Sequence, residues 1–258
     1  MGGVKKKRLD DLLVARGHAD THTLAAALIG AGRILVDGSP LVKAGSLYRP
    51  DCLITVRQKE PFVSRGGKKL AAALAAFALD VAGFICADIG CSTGGFTDCL
   101  LQNGARKVYA VDVGYGVLDW ILRNDDRVIV LERCNARYLS DKEIPEPLDL
   151  CVADASFISL ERLLGPMTKL FAPGEKIQII VLVKPQFELP KNKVARGGIV
   201  RDSRLQQQAL EKISVFGKRL GLTCRGTIPS PVKGTKGNQE YLMYLTGTAV
   251  AENSVSDT

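Results

Sequence analysis

Residues 179–188 read IIVLVKPQFE. The apolar, largely β-branched run has the character of a strand buried on both faces. Lys184 follows it, and then a proline removes a backbone donor and ends the strand. Lysine is rarely buried without a partner. The carboxyl ends of strands in an open parallel sheet are also where ligands bind. Lys184 is therefore either one half of an ion pair or an ammonium placed to act on a bound molecule. Three acids stand in the same position on other segments: Asp88 in FICADIG, Asp112 in KVYAVDVG and Asp154 in LDLCVADASF. Asp154 is the candidate partner of Lys184, in a structural pair or in a catalytic one.

The segment DIGCSTGGF, residues 88–96, is a glycine-rich turn between a strand and a helix. Gly90, Gly94 and Gly95 let the backbone approach a ligand and offer amides at a helix start. A nucleotide-type cofactor is the usual occupant. The spacing is not GxGxxG, which disfavours NAD. Asp112, closing the next strand, is placed to accept hydrogen bonds from ribose hydroxyls.

The elements that must position these residues follow from the pattern. From residue 64 onward, apolar strand-like runs alternate with helical ones: KKLAAALAAFAL, FICADIG, GGFTDCLLQNG, KVYAVDVG, VLDWILRN, RVIVLE, LDLCVADASF, LERLLGPMTKLF, KIQIIVLVKPQFE and RDSRLQQQALEKISVFGKRLG. LTCRGTI and QEYLMYLTG are the last strands. This alternation predicts an α/β fold with a parallel, doubly wound sheet. Residues 5–58 form a smaller α+β module: two helices, then a hairpin turning at Asp37-Gly38, then the strand CLITV. A linker spans 59–63, the larger domain spans 64–247, and 248–258 is a flexible tail.

The chain has 258 residues and a formal net charge of +8. Ten Lys/Arg against six Asp/Glu fall in residues 1–60, so half of the excess lies in under a quarter of the length. Such a basic module fits an anionic partner. Lys5, Lys6, Lys7, Arg8, Arg16, Arg33, Lys43 and Arg49 are candidate phosphate contacts, of which part are ordinary solvated surface. The seven cysteines lack CxxC spacing and read as free thiols in a reducing cytoplasm. His18 and His22 read as surface residues, and no metal site is expected. No signal peptide opens the chain. LAAALAAFALDVAGFICA imitates a membrane span, but Asp80 and Gly83 interrupt it, and a helix followed by a strand is expected there.

The motifs FVSRGGKKL, DIGCSTGGFTDCLL, VDVGYGVLDWILRND, CVADASFISL, LVKPQFE and GNQEYLMYL together resemble the TlyA family, from about residue 5 to 246. These are S-adenosylmethionine-dependent rRNA 2′-O-methyltransferases, historically labelled haemolysins. The resemblance implies an S4-like RNA-binding domain followed by a Rossmann-like, FtsJ-type methyltransferase domain. It also implies a Lys-Asp-Lys-Glu tetrad, which falls on Lys69, Asp154, Lys184 and Glu240. Lys68 is the neighbouring alternative to Lys69, since a helix turns only one of two adjacent residues toward a cleft.

On that resemblance, Lys184 stabilises charge developing on a ribose 2′-oxygen, Asp154 and Glu240 orient the lysines, and Lys69 helps place the hydroxyl or an adjacent phosphate. On the same resemblance, Asp88, Gly90, Ser92, Gly94 and Gly95 wrap the methionine end of the cofactor, and Phe96 and Thr97 begin the helix behind it. Asn135 and Ala136 lie by its adenine, and Tyr115 is either a cofactor contact or part of a turn. The implied partner is ribosomal RNA or a ribosomal subunit, at cytidine, with no membrane and no metal. The target nucleotide and the oligomeric state are open. Two rival readings are a membrane-active cytolysin, opposed by the lack of an uninterrupted apolar span, and a non-catalytic RNA-binding protein, opposed by the complete tetrad.

Overall fold

Leu9, Leu12 and Leu13 recur at helical spacing, and all three are buried. They form the inner face of α1 (Leu9–Ala15), which follows the two-residue strand β1 (Lys7–Arg8). The computed structural model describes residues 5–40, 42–57 and 60–250, and the chain divides into two compact units, 1–60 and 61–258. In the first unit, α2 (His22–Gly30) is capped by Thr21, whose hydroxyl accepts from the Leu24 amide. Strands β2 (Ile34–Val36), β3 (Leu47–Tyr48) and β4 (Ile54–Val56) complete it. Leu9, Leu13, Ala25 and Ile34 form its core.

One expectation for this unit is corrected. Asp37-Gly38 turns the chain, but among the described residues only a single bridge, Val36 to Ser39, follows it. β2 pairs instead with β4, antiparallel, and β1 pairs with β3. The Asp37 carboxylate accepts from the Leu53 amide, so the turn is tied to the β4 side of the unit and not to the residues just after it.

The second unit starts with α3 (Gly66–Ala76), β5 (Ile85–Ile89), α4 (Gly95–Gln102) and β6 (Lys107–Val111). Then come α5 (Trp120–Arg123), β7 (Val128–Leu131), β8 (Leu150–Ala153), α6 (Glu161–Thr168) and β9 (Lys176–Val183). The chain closes with α7 (Pro185–Glu188), α8 (Ser203–Arg219), β10 (Thr223–Pro229) and β11 (Tyr241–Thr248). The seven strands lie in the order β10-β11-β9-β8-β5-β6-β7. β5, β8 and all of β9 beyond its first residue are buried, as both-face burial requires.

The sheet is mostly parallel. β11 is the exception: it inserts between β9 and β10 and is antiparallel to both. The reason lies in the connection. No helix separates β10 from β11, and a parallel neighbour needs a long crossover, usually helical. The parallel, doubly wound sheet expected from the alternation holds for β5 to β9, and β11 is the strand that departs from it.

Two segments expected at domain edges have definite places. Phe62 and Val63 pack against the core of the second unit, and the Val63 amide donates to Asp98 Oδ2 at 2.8 Å. Residues 58 and 59 of the expected first domain and linker lie outside the described residues, as do 251–258 of the expected tail; Thr248 still belongs to β11.

Candidate active site

The exits of β5, β8 and β9 and the entry to β11 converge on one cavity of about 460 Å³. Its lining includes Lys69, Asp88, Asp154, Lys184 and Glu240. Lys69 reaches it from α3, and the helical phase turns this residue inward, 9% exposed. Lys184 stands one residue past β9, where Pro185 starts α7.

The charged groups form one connected chain. Lys184 Nζ lies 2.6 Å from Asp154 Oδ1 and donates to Ser156 Oγ at 2.7 Å. Lys69 Nζ lies 2.8 Å from Glu240 Oε2 and 3.4 Å from Asp154 Oδ2. Asp154 is thus shared between two ammonium groups. Both lysines are buried, so each charge needs its partner, and removing one side would leave an uncompensated ion. Gly234 packs against Glu240: a Cβ there would lie 2.5 Å from Glu240 Oε1, so any larger residue would force the carboxylate or the loop to shift.

The glycine-rich turn forms the adjoining wall through Gly90, Cys91, Ser92, Thr93, Gly95 and Phe96. Gly90 has φ +78°, and a Cβ would come within 3.1 Å of the Asp154 carbonyl oxygen. The left-handed conformation and the close approach both require glycine. Gly94 and Thr97 stand behind the wall, buried. Asp88 is fully buried; its Oδ2 accepts from the Thr97 amide and hydroxyl at 2.9 and 2.7 Å, while Oδ1 has no partner. Burial pushes its carboxyl up to about 7, the Thr97 hydrogen bonds oppose the rise, and the Asp154 charge adds to it. An unpartnered buried oxygen at the wall of a cavity is a ready acceptor for a ligand's N–H or cationic group.

Asp112, Tyr115, Asn135 and Ala136 do not line this cavity. Asp112 is bound to its edge, accepting from the Ser92 amide at 2.8 Å and the Gly114 amide at 2.7 Å. Tyr115 is 68% exposed under the Arg133 guanidinium, 4.4 Å from the ring centre. Asn135 caps a short 3-10 turn by accepting from the Arg137 amide, and Ala136 is buried within that turn. Burial pushes the Cys91 thiol of the cavity wall up, along with those of Cys86 and Cys151 behind it, so these sulfurs stay neutral.

In the first unit, four of the eight basic candidates are engaged locally. Arg8 pairs with Asp10 and Arg49 with Asp51, each through two hydrogen bonds. Arg16 donates to the Cys52 and Pro50 carbonyls, and Arg33 to the Arg57 carbonyl. Lys5, Lys6, Lys7 and Lys43 are exposed.

Several cavity residues escaped the reading of the sequence. Ser156 and Phe157 follow Asp154 directly, and their place in the motif was the available signal. Phe157 is 91% exposed, has φ +65° and leans on Phe187 with ring centres 5.3 Å apart. Lys233, Thr235 and Lys236 come from the Gly/Lys-rich loop just before Glu240, and Ser64 and Arg65 from the start of α3.

Residues 62–246 match the family described as FtsJ-like methyltransferases. The 16S/23S rRNA (cytidine-2'-O)-methyltransferase TlyA of Mycobacterium tuberculosis is 45% identical over 243 residues, covering 93% of this chain and 90% of its own. Hemolysin A of Brachyspira hyodysenteriae is 39% identical over 248 residues, covering 92% of this chain and 99% of its own. A solved structure from Streptococcus thermophilus, also named as a hemolysin, has a TM-score of 0.72 at 38% identity, covering 98% of this chain and 92% of that one. Among the described residues, no helix is long and apolar enough to cross a membrane.

Proposed function

This chain belongs to the FtsJ-like methyltransferases and, within them, to the TlyA family, and from that premise we propose that it methylates a ribose 2′-hydroxyl of ribosomal RNA, at cytidine, using S-adenosylmethionine. The observation that carries the reading is the sharing of Asp154 by Lys184 and Lys69 beside the glycine-rich turn.

The residues present fit the cofactor. Its amino-acid end carries an ammonium, and the unpartnered Asp88 Oδ1 on the cavity wall is a matching acceptor. Gly90, Ser92, Gly95 and Phe96 would hold the same end, with Gly94 and Thr97 supporting the turn. Asp112 would take the ribose hydroxyls with the acceptor capacity its two amide bonds leave free. Tyr115, Asn135 and Ala136 would flank the adenine. When bound, S-adenosylmethionine supplies an electrophilic methyl group on a sulfonium.

A ribose hydroxyl is a weak nucleophile at neutral pH, so the protein must favour its alkoxide-like form. Lys184 holds the negative charge that grows on the 2′-oxygen, and it acts from a buried position where electrostatic stabilisation is stronger than in water. Asp154 and Ser156 fix the direction of that ammonium. Lys69, held by Glu240, places the hydroxyl or the neighbouring phosphate. Residues 1–60 serve as an S4-like module that adds affinity for RNA through Lys5, Lys6, Lys7 and Lys43. A ribosomal RNA substrate puts the reaction in the cytoplasm.

The test is mass-spectrometric mapping of ribose methylation in ribosomal RNA from cells with and without the protein, joined to transfer of labelled methyl groups in vitro. The expected result is a cytidine that loses its 2′-O-methyl group when the protein is absent. Identical methylation in both, with no transfer in vitro, would overturn the reading.

A further inference from the structure

Glu188 is a buried carboxylate that the chemistry above does not use. It is 3% exposed and ends α7, four residues after Lys184. Its Oε1 accepts from the Leu160 amide at 2.9 Å, and its Oε2 accepts from Ser159 Oγ at 2.6 Å. Lys212 closes the cluster from α8. Its Nζ donates to the Glu188 backbone carbonyl at 2.9 Å, lies 3.5 Å from Oε2, and pairs with Glu161 Oε2 at 2.9 Å.

The two segments joined here are the ones that carry the reacting charges. Residues 154–160 leave β8 with Asp154 and Ser156; residues 184–188 leave β9 with Lys184. The second segment is one tight turn, begun by Pro185 and closed by the Phe187 amide on the Lys184 carbonyl at 2.9 Å. A displacement of Glu188 therefore passes to Lys184. The first segment includes Phe157 in the left-handed region, an unfavourable conformation for a side chain of that size, so something outside it must hold its shape. The carboxylate of Glu188 does this at Ser159 and Leu160, where it also faces the first turn of α6, whose Glu161 amide donates to Ser159 Oγ at 3.3 Å.

We propose that Glu188 is the positioning residue that sets the Lys184 ammonium against Asp154 and Ser156, by clamping the exit of β9 to the exit of β8. The proposal rests on the methyltransferase reading for its kinetic arm, and on geometry alone for its structural arm. Without the carboxylate the two segments keep the contacts at the cavity, the Phe157–Phe187 ring contact and the Lys212 bridge from the Glu188 backbone carbonyl to Glu161, none of which bonds Ser159 or the Leu160 amide to the exit of β9 as directly. A misplacement of about 1 Å can cost about 10²-fold in rate.

The experiment compares Glu188→Ala, Glu188→Gln and Ser159→Ala in the full chain. Each is followed by crystal structure, by calorimetric binding of S-adenosylmethionine, and by the rate of methyl transfer at saturating RNA and cofactor. Glu188→Ala is expected to lengthen the Lys184–Asp154 contact from 2.6 Å by about 1 Å and to lower kcat about 10- to 100-fold, with KM and cofactor affinity within about twofold. Glu188→Gln, which can still accept from Leu160 and donate to Ser159, is expected to recover most of the rate. Ser159→Ala, losing one bond of the clamp, should fall between them, and it carries the test if Glu188→Ala does not fold. An unchanged Lys184–Asp154 distance in a folded Ala variant, or a loss of rate that glutamine does not rescue, would overturn the proposal. If the wild-type protein transfers no methyl group, the function assigned above has failed, and the distance in the variant structures still decides the clamp.

Discussion

Lys184 Nζ lies 2.6 Å from Asp154 Oδ1, and the lysine is only 7% exposed. A buried ammonium so placed is held in one position, and it pays little reorganisation when charge appears beside it. The same carboxylate reaches Lys69 through its other oxygen, so the two lysines are coupled through one acid.

Lys184→Ala should lower methyl transfer by about 10²- to 10⁴-fold while leaving cofactor affinity within a few-fold. The cofactor's proposed contacts lie on β5 and the turn after it, at the exit of β6 and after β7, and Lys184 is not among them. Lys184→Arg should restore little, because a planar guanidinium has a different shape and does not place a compact point charge where the ammonium sits. Transfer assays and calorimetry measure the two effects, and thermal melting shows whether the loss of an ion-pair partner has unfolded the variant. A folded Lys184→Ala protein with near wild-type rate would reduce the lysine to a structural partner of Asp154.

Gly234→Ala tests the second pair without touching a charged residue. The added methyl would meet Glu240 Oε1 at 2.5 Å, so carboxylate or loop must move, and a moved carboxylate would disturb the 2.8 Å pair of Lys69 with Glu240 Oε2. The expected outcome is a fall in transfer of about 10- to 100-fold with cofactor binding retained. Unchanged activity would show that the position of Glu240 does not matter to the reaction.

Asp88 predicts a pH dependence of cofactor binding. Burial raises its carboxyl to about 7, so below that pH it is protonated and uncharged in the free protein. A cationic ligand group favours the ionised form. Affinity for S-adenosylmethionine should therefore rise with pH up to about 7 and level off above it, falling up to about tenfold per unit on the acid side. Asp88→Asn should bind weakly, with no step near 7. The linked effect on stability has the opposite sense: the folded state retains a proton that an unfolded aspartate gives up near 4, so this group's contribution is full below about 4 and is lost as pH rises through about 7. Calorimetry from pH 5.5 to 8.5 measures the first effect and thermal melting the second. A flat binding profile in the wild-type protein would remove Asp88 from the cofactor site.

Replacing Lys5, Lys6, Lys7 and Lys43 with alanine in the full chain should weaken RNA binding and flatten its salt dependence. Each lost phosphate contact lowers the slope of log K against log salt by about 0.7 to 0.9. Arg8 and Arg49, already paired with Asp10 and Asp51, should contribute less when replaced singly. Equal slopes for the variant and the wild type would place the RNA contacts elsewhere.

Local chemistry made much of this protein legible from its residues alone. A buried apolar run ending in a charge marks a strand exit, as at Asp88, Asp154 and Lys184, because neither lysine nor aspartate is buried without cause. Glycines before a helix mark a close approach of backbone to ligand, as at Gly90 and Gly95. The family resemblance put the first lysine at Lys69, with Lys68 as its neighbouring alternative, and helical phase lets only one of the two face a cleft. Strand pairing lay beyond that reach. The antiparallel register Tyr241↔Val183 puts Glu240 next to Lys184, although 56 positions separate them in the chain. That register depends on β11 inserting between β9 and β10, which no spacing within either segment encodes. The clamp of Glu188 on Ser159 and Leu160 is of the same kind. Ser159 is locally an unremarkable polar residue and Leu160 offers only its backbone amide, and only the packing of two neighbouring strand exits brings these donors to the carboxylate.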